Sequence, residues 1–227
     1  MQKIVLQLIY SFLIRWFLKL IVGVKLDDSK FLLSEEQFII VANHNSHLDT
    51  MSILASVPRK IIHKIKPVAA QDHFGKTKFQ EKLSNFFINS LLIQRKRDLE
   101  NPDNDPIIKM IRTLERGYSL IIFPEGTRGE PEKEQPLKPG IGFVLSQRPD
   151  ITYVPVFMTG LGKAMPKGDN LIVPFSSSLT FGKPTKIQTA NIRDILRQIQ
   201  NDFETLKNSN NQTPIIKNGY ESVNSRS

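Results

Sequence analysis

Residues 38 to 49 read FIIVANHNSHLD. An apolar, mostly β-branched run, Phe38 to Ala42, gives way without a break to a polar cluster. The run has the composition of a β-strand. Similar runs recur at Pro67 to Ala70, Leu91 to Ile93, Ser119 to Phe123 and Tyr153 to Met158, with short ones at Leu179 to Gly182 and Lys186 to Gln188. Helical patterns fall between and after them, at Leu48 to Ser56, Lys76 to Phe87, Asp105 to Arg116, Gly140 to Gln147 and Ile192 to Leu206. Strands alternating with helices predict an α/β fold, with a mostly parallel central sheet flanked by helices. In such sheets reactive groups gather beyond the C-terminal strand ends. The polar cluster after Ala42 stands in that position.

The cluster holds Asn43, His44, Ser46, His47 and Asp49. A base for a hydroxyl needs a neutral imidazole fixed in one tautomer, and a carboxylate on the far ring nitrogen provides this. On a continuous helix the five-residue spacing would put His44 and Asp49 about 140° apart. They meet only if His44 lies in the strand-to-helix turn and Asp49 in the first helical turn. Ser46-x-x-Asp49 is equally a capping box, so Asp49 also reads as a helix cap. A carboxylate has two oxygens, so both uses can coexist. A metal reading of His44, His47 and Asp49 finds only His63 and His73 as further histidines, neither in a ligand-rich cluster. Ser46 lacks the Gly-x-Ser-x-Gly elbow of a serine nucleophile.

The strand ending at Phe123 runs into Pro124-Glu125-Gly126-Thr127-Arg128-Gly129. Pro124 stops a ladder, and the glycines permit a tight loop. Glu125 and Arg128 are then presented at a strand end, where Arg128 suits a phosphate and Glu125 a hydroxyl. A surface turn with an internal Glu125–Arg128 pair is the plainer alternative. No Gly-x-x-x-x-Gly-Lys phosphate cradle exists, and Gly160-Leu-Gly162 lacks the third glycine of a dinucleotide fingerprint.

Residues 3 to 22, KIVLQLIYSFLIRWFLKLIV, place Lys3, Gln7, Ser11, Arg15 and Lys19 at every fourth position in an otherwise apolar segment. The charge-free run from Ile4 to Ile14 covers about 16 Å as a helix, short of the roughly 30 Å hydrocarbon core. A helix lying in the membrane interface is expected, with Arg15, Trp16 and Lys19 at headgroup level; the alternative is a core helix of the domain. The expected organisation is residues 1–24 as this helix, 25–207 as the α/β domain and 208–227 as a disordered polar tail.

There is no cysteine, so disulfides, thiolate metal sites and a cysteine nucleophile are excluded. Thirty-one Lys and Arg against 22 Asp and Glu give a net charge of +9, which favours polyanionic partners. Nucleic acid finds no support, as there is no zinc-finger spacing, aromatic RNA-binding signature or dense basic block.

Asn43-His44-x-Ser46-x-x-Asp49 and Phe123-Pro124-Glu125-Gly126-Thr127-Arg128 together resemble the first and third motifs of the glycerolipid acyltransferases, and of the lysophosphatidic acid (1-acyl-sn-glycerol-3-phosphate) acyltransferases in particular. Leu91-Leu-Ile-Gln-Arg95 is similar to the second motif, with Lys96 and Arg97 as neighbouring candidates for the phosphate contact. Val154-Pro155-Val156 is similar to the fourth, and Lys138-x-Gly140 to a basic segment that follows the third. The resemblance covers about residues 37 to 190. It implies a general base, His44, oriented by Asp49, with Asn43, Ser46, Pro124 and Pro155 supporting the motifs. Arg95, Glu125, Gly126, Thr127, Arg128 and Lys138 would bind substrate. It implies acyl transfer from acyl-CoA or acyl carrier protein to lysophosphatidic acid at the cytoplasmic face of an anionic membrane, forming phosphatidic acid, with no metal and no cofactor. Another lysolipid, glycerol 3-phosphate or an aminolipid as acceptor is the alternative, as is a non-catalytic lipid-binding module.

Overall fold

The computed structural model describes residues 1–71, 82, 86–98, 100–130, 133, 135–165 and 172–211. Most of the expected helix from Lys76 to Phe87, His73 and residues 212–227 of the polar tail lie outside them.

Helix α1 (Gln2–Val22) leads into β1 (Val24–Leu26). Then follow β2 (Phe38–Ala42), α2 (Leu48–Ser56), β3 (Ile65–Ala70), β4 (Leu91–Ile93), α3 (Pro106–Glu115) and β5 (Ser119–Ile122). The chain continues through α4 (Gly140–Gln147), β6 (Thr152–Thr159), the short α5 (Leu161–Ala164), β7 (Ser177–Phe181) and α6 (Ile192–Asn211). The strands form one seven-stranded sheet in the order β1-β7-β6-β2-β5-β3-β4. Every pairing is parallel except β6 with β7.

β2 lies at the centre of the sheet, and its five residues are all buried. Phe38, Ile40 and Ala42 pack toward α1 and α2. Ile39 and Val41 pack toward α3, α4 and α6. A strand covered on both faces cannot alternate apolar with polar residues, which is why FIIVA is continuous. Asp105 caps α3 by accepting from Ile107 and Ile108 N–H at 2.8 and 3.2 Å, with Pro106 in the first turn.

Three sequence expectations need correction. Lys186 to Gln188 is not a strand; only an isolated bridge joins Thr185 to Tyr153. β1 was missed: its three residues, Val-Lys-Leu, carry too short a pattern to register. Residues 208–211, placed with the tail, continue α6, whose Ile195, Ile199 and Phe203 face the core at helical spacing.

The polar stripe of α1 has a structural counterpart. Residues Ile9–Ile14 and Leu18–Val22 are π-helical turns within the helix. A π turn has more residues than an α turn, so mixing the two brings the repeat near four and removes the drift of an every-fourth pattern. Leu6, Tyr10, Leu18 and Val22 are buried in the core. On the opposite face Ile4, Leu8, Phe12, Trp16 and Leu20 are 47% to 66% exposed. Arg15 does not reach outward. Its guanidinium donates to the Ala55 carbonyl at 2.7 Å, and Gln7 donates to the Arg59 carbonyl at 3.0 Å. The C-terminal carbonyls of a helix and the turn after it need donors, and these two side chains supply them.

Candidate active site

His44 follows Asn43, the first residue after β2, in the turn that enters α2. Its Nδ1 donates to Asp49 Oδ2 at 2.9 Å, the meeting that requires His44 in the turn and Asp49 in the first helical turn. Asp49 is 1% exposed, and its Oδ2 also accepts from Asn45 and Ser46 N–H at 2.7 and 2.8 Å. Orientation of His44 and capping of the turn therefore coexist on one oxygen, not on two. Oδ1 has no partner among the described residues. A carboxylate accepts only, so it fixes the proton on Nδ1 and leaves Nε2 with its lone pair. The imidazole stacks on Phe123, centroids 4.1 Å apart and planes at 20°.

The turn is tied down from several sides. The Asn43 side chain accepts from Met158 N–H at 2.7 Å and donates to Met158 O at 2.8 Å, extending the β2–β6 ladder by a side chain. Ser46 Oγ accepts from Leu48 N–H and donates to Met165 O at 3.0 Å. Gly129 N–H donates to the His44 carbonyl at 3.0 Å, joining the loop after β5 to the loop after β2. Pro155 lies within β6, opposite Val41, and its carbonyl takes the Gly182 N–H at 2.7 Å.

His44 lines a cavity of about 510 Å³. Arg95, Arg97, Arg128 and Lys138 make its basic part, near Gly126 and Thr127. Val68, Ile93, Ile107, Met110 and Phe143 make an apolar part between α3, α4 and the β3–β4 edge. Arg95 donates to the Gly126 carbonyl at 2.9 Å, whereas Arg97 is committed to Asp105 at 2.8 Å; Lys96 does not line the cavity. Gly126 has φ +72°, and a Cβ there would meet Lys138 Nζ at 2.8 Å, so the loop turns tightly beneath the lysine side chain. Arg128 Nη1 contacts His47 Nε2, not Glu125, which removes the internal-pair reading of this turn.

Glu125 differs from the expectation. It is buried behind the loop and lines a separate hollow of about 150 Å³ with Asn43, Asn45 and Gln135, not the cavity that His44 lines. Its carboxyl accepts from His44 N–H at 3.3 Å and from Gln135 Nε2 at 3.0 Å. Burial pushes its pKa up from 4.5 to about 7, against the pull of those two bonds. Sequence reasoning missed Phe123 as a ring platform, His47 as the partner of Arg128, and Gln135. Only Phe123, an aromatic residue at a strand end, carried a local signal.

A protein-family model described as Acyltransferase matches residues 23–177, which include both loops and strands β1 to β6. The chain belongs to the acyltransferase family. Two chloroplastic 1-acyl-sn-glycerol-3-phosphate acyltransferases, of Brassica napus and Arabidopsis thaliana, are 26% identical over 148 and 149 residues, 62% of this chain in each case. The matched stretch spans 38% and 36% of those proteins, well under half their length. The crystal structure of the 1-acyl-sn-glycerophosphate acyltransferase of Thermotoga maritima superposes with a TM-score of 0.75 at 22% identity, covering 93% of this chain and 81% of that one. That likeness shows that the two share a fold. The acyltransferase match thus spans the His44–Asp49 turn, the Gly126 loop and the strands between them.

Proposed function

We propose that this chain transfers a fatty acyl group from a thioester donor, acyl-CoA or acyl carrier protein, to the free hydroxyl of 1-acylglycerol 3-phosphate, giving phosphatidic acid. One observation carries the reading: an imidazole held by a buried carboxylate opens into a cavity with both a cluster of cations and an apolar wall. A phosphorylated, acylated substrate has chemistry to match each part.

In the proposed step His44 Nε2 takes the proton of the acceptor hydroxyl as that oxygen attacks the thioester carbonyl. Asp49 stabilises the imidazolium that forms. The tetrahedral intermediate collapses with cleavage of the C–S bond, and the leaving thiolate recovers the proton from His44. The products are the ester and a free thiol. Arg95 and Arg128 hold the acceptor phosphate, with Lys138 beside them. Glu125 and Gln135 act behind the loop, holding His44 through its backbone rather than touching substrate.

The exposed face of α1 fits a lipid surface. Its apolar side chains would be buried in the interface while the opposite face stays in the protein core. On this reading the domain sits on a membrane, with α1 lying along it and not crossing it. The test is an acceptor panel with labelled acyl-CoA and acyl carrier protein. Lysophosphatidic acid should release thiol fastest; a neutral monoacylglycerol used equally well would contradict the acceptor assignment.

A further inference from the structure

A second hollow, of about 250 Å³, lies where β3, β4 and β5 begin, at the opposite end of the sheet from His44. Lys66 from β3 and Arg116, just after α3, are its cations, and Tyr118 lines it beside them. No carboxylate lines it among the described residues. Lys66 is half-buried. Its Nζ donates to the uncharged Asn89 Oδ1 at 2.9 Å and sits 4.8 Å from the centre of the Tyr118 ring. Burial and the neighbouring Arg116 both push the Lys66 pKa down. A cation kept in such surroundings without a counter-charge is costly.

The residue that holds Lys66 is itself unusual. Asn89 has φ +58°, the one left-handed non-glycine residue among those described. Its amide donates to the His63 and Ile65 carbonyls at 3.1 and 3.0 Å, so the side chain is clamped with its oxygen toward Lys66. Asparagine tolerates this conformation better than most residues, but it is still kept only where the surroundings fix it, and such strain gathers at ligand sites.

We propose that this hollow binds a phosphate group, at a site separate from the acyl-transfer cavity. A phosphate dianion satisfies both cations at once: the guanidinium as a two-pronged donor and the ammonium as a point charge. The Tyr118 ring, 4.8 Å from Lys66 Nζ, forms the wall beside them and gives the site a local probe. A soluble phosphate ester and a phospholipid headgroup present the same chemistry. His63, whose carbonyl helps to hold Asn89, lies in the Ile62–Lys64 turn, which packs against the start of α1. The hollow therefore lies toward the end of the molecule where α1 begins, within reach of either source.

The four tyrosines allow a local readout. Full-length protein labelled with 3-fluorotyrosine gives a fluorine resonance for Tyr118, assigned by its loss in Tyr118→Phe. Titration with inorganic phosphate at constant ionic strength should move that resonance saturably, and chloride should not. Arg116 is exposed, so Arg116→Gln spares the fold, which circular dichroism checks. It should raise the phosphate Kd about tenfold or more. Arg128→Ala, in the other cavity, should leave the titration intact, which separates this site from the proposed acceptor site. A parallel arm compares vesicles of phosphatidylcholine with and without phosphatidate. A response to phosphatidate vesicles alone assigns the site to lipid headgroups, and a response to free phosphate alone to soluble esters. No saturable movement in either arm, or a Kd unchanged by Arg116→Gln, overturns the proposal.

Discussion

Asp49→Asn separates the orientation of His44 from the capping of its turn. In the parent, Oδ2 receives three donors, and Oδ1 has no partner among the described residues. Asparagine keeps an acceptor oxygen in the first place and puts an amide in the second. The shape and the backbone bonds survive; the charge facing the imidazolium does not. Bonds to a carboxylate are worth about 1.5–3 kcal/mol and neutral ones about 0.5–1.5. Against that loss, a carboxylate only 1% exposed carries a desolvation cost that the amide lacks. The net destabilisation is then about 1–2 kcal/mol, or roughly 2–8 °C in Tm for a chain of this size. The chemical step should suffer more. General-base catalysis contributes roughly 10²–10⁴ in rate, so the barrier rises by about 3–5 kcal/mol. The assay is thiol release from acyl-CoA with saturating lysophosphatidic acid, beside a melt of the same preparation. A collapsed Tm with parent-like turnover of the residual folded fraction would refute the orienting role and leave Asp49 as a cap.

Arg128→Ala and Arg95→Ala should each raise KM for a phosphorylated acceptor by about tenfold or more while leaving KM for the acyl donor within a fewfold; equal losses with a neutral acceptor would argue against phosphate binding there. Glu125 should tie stability to pH. Its carboxyl titrates near 7 in the fold against an ordinary 4.5, so the folded protein holds the extra proton between those values and stability falls as pH rises through that window, then levels off. The effect is on the order of 3 kcal/mol, and Glu125→Gln should flatten that part of a Tm-against-pH profile; an unchanged slope would assign the effect elsewhere. Removing α1 would strip Leu6, Tyr10, Leu18 and Val22 from the core, so its outer face is better tested alone. Phe12→Ser, Trp16→Ser and Leu20→Ser together should cut sedimentation with anionic vesicles by at least about a hundredfold in partition coefficient, with an unchanged melt, because each side chain is worth about 1.5–3 kcal/mol when buried; parent-like sedimentation would place the membrane contact on another surface.

The central strands were legible because burial on both faces forces a continuous apolar run, as Phe38 to Ala42 shows. β1 was not, because its three residues take their place from pairing with β7, a partner some 150 residues away that no local pattern reveals. His44 and Asp49 could be paired from spacing and chemistry, and the structure puts Nδ1 2.9 Å from Oδ2. The position of Glu125 could not be read. Whether a loop carboxyl faces a cavity or turns behind it depends on Gln135, ten residues on in a polar segment without a motif. The polar stripe of α1 was visible, but its direction was not. Arg15 turns toward the carbonyl of Ala55 because the end of α2 lies there, a fact of packing and not of sequence. The apolar residues beside the stripe divide between a buried row, Leu6, Tyr10, Leu18 and Val22, and an exposed one, Ile4, Leu8, Phe12, Trp16 and Leu20.

The most direct measurement compares purified His44→Ala with the parent for thiol release from acyl-CoA in the presence of lysophosphatidic acid, at matched circular dichroism. His44 supports the turn mainly through backbone bonds to Glu125 and Gly129, which alanine retains, so the fold should persist. Turnover should drop by roughly 10²–10⁴. Near-parent turnover in a folded His44→Ala protein would contradict the account.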